Sequence, residues 1–150
     1  MSLNIFFLDY YARLREWHSL KQLLSDQPDI ETTCVEVDKF WQKCPLLNHY
    51  LHVDDIQDWP SPWQLLSDNN YCAYARGLGM VYTLLQLGIK DIDFVEVLDD
   101  NDECFVLVVV NNNYILNYWP DSVLNTQLSA FRITRKIDMT ILKQKTGEDD

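Results

Sequence analysis

The sequence predicts an α+β fold: an N-terminal helical cap, then a buried central helix packed on an antiparallel sheet of three to five strands. Three observations predict it. Apolar residues recur at helical spacing through the first half, and a nearly uncharged helical stretch occupies the middle. After Gly88 the pattern changes to period two or to continuous apolar runs separated by turn residues. At 150 residues, 47% hydrophobic and 23% charged, the chain has the length and balance of a single globular domain. A chain of this size buries roughly two thirds of its unfolded surface, so it needs no disulfide or metal staple. Residues 1–62 read as the cap and a packed connection, 63–143 as the helix-plus-sheet core, and 144–150 as a polar tail.

Each element has its own signal. Between Asp9 and Leu24, Tyr10, Leu14, Trp17, Leu20 and Leu24 recur at three and four, with Asp9 as N-cap and Pro28 beyond the end. A shorter helix is expected from Thr33 to Lys43, with Val37, Phe40, Trp41 and Cys44 on one side and Pro45 as its stop. The stretch from Pro45 to Pro62 is irregular and rich in aromatics and acids, and its length predicts that it packs on the core. Ser67-Asp68-Asn69-Asn70 then offers capping chemistry to the central helix, which runs from Tyr71 to Leu87 and closes at Gly88. Gly77 and Gly79 inside it each cost about 1 kcal/mol against alanine, which predicts a close approach by another element. Strands are expected over 92–98, 104–110 and 114–118, the last two joined by a tight Asn111-Asn112-Asn113 turn. Further strands are expected over 131–134 and 137–142.

Charge removes whole classes of function. Twelve Lys and Arg against 23 Asp and Glu give a net charge of -11, which repels phosphate backbones and anionic membranes, so neither nucleic acid nor membrane is an expected partner. The N-terminal apolar run Ile5-Phe6-Phe7-Leu8 is broken by Asp9, too short for a signal or a span. The expected location is the cytoplasm where the chain is made, with Cys34, Cys44, Cys72 and Cys104 as reduced thiols.

The middle of the chain carries a resemblance. Asn70-Tyr71-Cys72-Ala73-Tyr74-Ala75-Arg76, then Leu87-Gly88-Ile89, then the hairpin runs Cys104–Val110 and Tyr114–Asn117 follow the order of parts of a papain-like or transglutaminase-like core. The stretch from Trp63 to Trp119 is similar to the transglutaminase-like signature, a helix N-terminal cysteine followed by a His at the start of one strand and an Asp at the end of the next. That resemblance implies Cys72 at the nucleophile position, Cys104 at the base position and Asn117 at the orienter position. It also implies that Cys72 and Cys104 lie near each other. A cysteine nucleophile needs a thiolate, favoured at a helix N-terminus, and a base held by a third group. With cysteine in place of histidine at position 104, Asn117 has no imidazole to orient. A base recruited from His49 or His52, or from His18 on the first helix, is the enzymatic alternative, and a small buried thiol at a helix start is the plain reading of Cys72.

Other constellations are weaker. Cys34, Cys44, His49 and His52 form a C-x9-C-x4-H-x2-H series without the short knuckle that presents two thiolates together, so no metal or other cofactor is expected. His52, Asp54, Asp55 and Asp58 lack the order of a calcium loop, and Gly77-Leu78-Gly79 lies inside a helix rather than in a phosphate loop. Trp59, Trp63 and Trp119 are candidate interface anchors, the first two on the stiff Trp-Pro-Ser-Pro-Trp segment, with a core-lid role as the alternative.

These readings converge on a catalytically degenerate transglutaminase-like scaffold, a structural or interaction protein with a protein partner. The Trp-Pro-Ser-Pro-Trp-Gln-Leu-Leu and Tyr-Cys-Ala-Tyr-Ala-Arg-Gly-Leu-Gly-Met stretches also resemble small proteins of tailed bacteriophages, which implies a virion component of neck, tail or baseplate. The competing expectation is a cysteine amidase or peptidase using Cys72. A third is an acidic decoy that would bind a basic host protein in a salt-sensitive way.

Overall fold

Asp9 opens the first helix: its carboxylate accepts the N–H of Ala12 at 2.9 Å and starts α1 (Tyr10–Leu24). In the computed structural model, which describes residues 4–47 and 51–147, Asp29 likewise opens α2 (Ile30–Gln42), three residues before the expected start. His49 and Tyr50 lie outside the described residues.

Among its described residues the connection packs only in part: Leu46 and Leu47 are exposed, and the 3-10 turns from Val53 to Asp58 bury no residue. Leu51 and Trp59 are buried, and Trp59 donates its indole N–H to the carbonyl of His52 at 2.9 Å. Trp59 thus acts as a core lid, against the rings of Tyr74 and Phe94, and is not an interface anchor. A short helix, α3 (Pro62–Asp68), follows. Ser61 and Gln64 form a reciprocal capping box with Pro62 in the first turn, and Asn69 ends the helix at φ 55. Ser67 and Asp68 therefore close α3 rather than cap the central helix, whose N-cap is Cys72 itself, without a side-chain bond.

That central helix is α4 (Ala73–Gln86), and Gly88 leaves it at φ +85. Both glycines are close approaches. A Cβ on Gly79 would stand 2.5 Å from the ring of Trp41, and one on Gly77 would stand 2.8 Å from Asn117 Nδ2 and from the ring of Phe94.

The sheet comprises β1 (Ile92–Leu98), β2 (Cys104–Val110), β3 (Tyr114–Leu116) and β4 (Arg132–Lys136) in the order β3-β2-β1-β4, all neighbours antiparallel. Asn111 and Asn112 make the hairpin with positive φ, which asparagine tolerates better than most residues. β3 stops two residues early because Asn117 turns to φ 69. β4 crosses back to pair with β1 and forms a free edge.

β2 is buried on both faces from Val106 to Val110, which explains its unbroken apolar run, whereas β4 is exposed along its whole length. Phe94, Val106, Val108 and Leu116 join α4 in one core that extends from Phe6 to Leu142. Val95, Val97, Leu107, Val109 and Ile115 lie on the opposite face under Tyr118, Leu128 and Phe131 of the segment from β3 to β4. The expected strand over 137–142 is instead part of a turn and a helix, α5 (Met139–Lys145), capped by Asp138. Its Leu142 is buried and Thr146 accepts a hydrogen bond from Gln86, so the chain beyond residue 143 is docked at least to Thr146 rather than a free tail. The period-two placement of Ile137, Met139 and Ile141 mimics a strand, and packing against α4 overrides it.

Candidate functional site

The first turn of α4 and the end of β3 meet at a buried polar bridge. Asn117, 3% exposed, sits between them in a left-handed conformation that aims its backbone N–H at α2 and its side chain at α4. The N–H donates to Asp38 Oδ1 at 2.9 Å. The Nδ2 group donates to the carbonyls of Ala73 at 3.0 Å and Val106 at 2.8 Å. The Oδ1 atom accepts Arg76 Nε at 2.6 Å. One asparagine therefore ties α2, α4 and β2 to the end of β3, and Gly77 leaves the space it occupies.

The electrostatics follow from burial. Asp38, 2% exposed, has its carboxyl pushed above the usual range by loss of water, against the opposing pull of the Asn117 N–H, Gln42 and the Arg76 charge. Burial lowers the Arg76 pKa, against the pull of Cys44 and Asp38. Burial pushes the thiols of Cys34 and Cys44 up to about 12. Cys104 is exposed at the outer end of β2, and its thiol too is raised, by partial burial and by Glu96.

Of the residues expected at a site, the structure brings Asn117 to the first turn of α4, one residue from Cys72. Cys72 is 8% exposed, and its carbonyl accepts the N–H of Arg76 at 2.9 Å. The β2 residue whose backbone meets Asn117 is Val106, two positions inward from Cys104. His18 lines a surface hollow with Gln86 and Leu87 at the far end of α4. Fourteen residues at about 1.5 Å each separate it from Cys72, too far for proton transfer. His52 is exposed in the connection, and His49 lies outside the described residues. Among the described residues no group of three or more His, Cys, Asp or Glu stands together to hold a metal, and no helix is long and apolar enough to cross a membrane.

Sequence reasoning missed Asp38 and Arg13. Arg13 is 7% exposed and donates to the carbonyls of Leu66, Leu8 and Ser67, fastening α1 to the end of α3. Its place among charged neighbours gave no sign of this. Arg76 did carry a signal, as a lone charge in an apolar helix.

Fold and site together define an α+β protein whose central helix and sheet are bridged by an Asn–Arg–Asp network. No protein family, no curated protein and no solved structure matches this chain.

Proposed function

We propose that the chain is a non-catalytic scaffold of transglutaminase-like type that works as a structural or interaction protein. One observation carries the reading: the Asn117 carboxamide is engaged by Arg76, Ala73 and Val106. The group facing its oxygen is a guanidinium, which has no lone pair to accept a proton and cannot serve as a general base. In a cysteine hydrolase that oxygen would orient an imidazole. The helix-start cysteine and the asparagine after the hairpin keep the order of the hydrolase core, while the base position holds Cys104. An assembly such as a tailed-phage virion is the setting this reading favours, from the resemblance alone.

The test is site-resolved alkylation of the folded protein by iodoacetamide across pH, read by mass spectrometry with Cys72→Ser as control. Cys104 should react first and Cys72 only slowly or after unfolding. Rapid reaction of Cys72 persisting at about pH 6, and lost in His49→Ala or His52→Ala, would instead establish the amidase or peptidase reading.

A further inference from the structure

The far face of the sheet ends in an aromatic row. Phe105 and Tyr118 rings lie 4.9 Å apart, Tyr118 and Phe131 5.1 Å, and Tyr118 and Trp119 6.0 Å. Trp119 is 58% exposed, and the other three rings are partly exposed. Strand register extends the row to the free edge. Val97 pairs with Phe105 on one side and Ile133 on the other, so all three side chains share this face, and Ile133 is 40% exposed.

The same alternation sets the charge beside it. Asp99 and Glu103 continue the β1–β2 pairing through the Asp99 N–H to Glu103 carbonyl bond at 3.0 Å, which puts both residues on the face of Val97 and Phe105. The Asp99 carboxylate accepts the turn N–H groups of Asn101 and Glu103, and Glu103 is the exposed acid beside Phe105. Asp100 and Asp102 lie in the same turn, where Arg132 stands 3.8 Å from Asp102. The other cations of β4 lie farther along the strand: Arg135 pairs with Asp54, and Lys136, opposite Val95, shares this face at its distant end. The row is thus rimmed by a net negative turn in a chain of net charge -11.

We propose that this face docks a basic polypeptide segment in which Arg or Lys alternates with apolar residues. Apolar side chains cover Phe105, Phe131 and Ile133, while a cation lies over the exposed indole of Trp119 and pairs with Glu103. A second copy is disfavoured because it would bring a like-charged rim against this one. The proposal deepens the interaction reading and names its partner's chemistry.

The experiment titrates the full chain with a panel of short synthetic peptides mixing Arg or Lys with Leu, Phe or Trp, each paired with a twin carrying Glu for every cation. Calorimetry gives affinity, and the indole N–H resonance of Trp119, assigned with Trp119→Phe, reports the site. Basic peptides should bind and shift that resonance, with affinity reduced about tenfold or more by Trp119→Ala and several-fold by Glu103→Lys. Binding should also weaken as ionic strength rises from about 0.05 M to about 0.5 M. Thermal melts of both variants control for folding. Equal affinity for the acidic twins, binding insensitive to Trp119→Ala, or no binding by any basic peptide overturns the proposal. So does light scattering that shows a dimer dispersed by Trp119→Ala, since the occupant would then be a second copy. A reactive Cys72 would sink the non-catalytic reading and leave this face standing, whereas failure here leaves the Cys72 result untouched.

Discussion

The hydroxyl of Thr83 accepts the indole N–H of Trp41 at 3.0 Å. It also accepts that of Trp17 at 2.9 Å and donates to the carbonyl of Gly79 at 2.7 Å. One buried oxygen thus pins α1 and α2 to the central helix. Thr83→Val keeps the shape but leaves two buried indole donors without a partner, at about 2–5 kcal/mol together. Thr83→Ser keeps the oxygen and should lose only about 1 kcal/mol. Urea denaturation of the two variants separates the terms, and equal losses would remove the hydroxyl from its role.

Gly79 and Trp41 are coupled by contact. Because a Cβ at 79 would meet the indole at 2.5 Å, Gly79→Ala should destabilise by about 1–3 kcal/mol despite alanine's better helix propensity. In a Trp41→Leu background the same replacement should be neutral or stabilising by up to about 1 kcal/mol. A double-mutant cycle measures that reversal of sign.

Asn117→Ala removes the three bonds of the Asn117 carboxamide, keeps the backbone N–H bond to Asp38, and leaves the partly buried Arg76 without this acceptor, so a loss of about 3 kcal/mol or more is expected. Asn117→Gly loses the same bonds without the strain of a Cβ at φ 69 and should be less damaging by about 1 kcal/mol. Stabilities that do not rank in this order would place the residue's contribution elsewhere.

Asp38 makes stability depend on pH with an unusual sign for a carboxylate. Its folded pKa is raised, so the native state holds the proton more tightly than the unfolded chain does. The favourable contribution is complete below about 3.8 and is lost as pH rises through the folded value. Asp38→Asn keeps an oxygen for the Asn117 N–H and removes this dependence. The parent should therefore gain stability relative to Asp38→Asn as pH falls from neutral towards 3.8. Chemical denaturation at several pH values reads that slope, and the opposite slope would show that the pull of Arg76 exceeds the desolvation.

Legibility varied with locality. The Asp9 cap, the apolar periodicity of α4, the three-asparagine hairpin and the strand at 104–110 all follow from residues close in sequence. The capping box at Ser61 and Gln64 with Pro62 was equally local and marked α3, yet the nearby Ser67-Asp68-Asn69-Asn70 run competed for the same reading. α5 was not legible because Ile137, Met139 and Ile141 fit a strand period, and contact with α4 decides between the two.

The sequence by itself determined the α+β class, the order of its central elements and the close approaches at Gly77 and Gly79, since periodicity, capping and backbone freedom are properties of short stretches. Only the tertiary structure decided that β4 pairs with β1, that Trp59 is a lid while Trp119 faces outward, and that Asn117 bonds Arg76 and Asp38. Those facts depend on which distant residues meet, and a carboxamide that could orient a catalytic imidazole is chemically identical to one that holds a helix to a sheet.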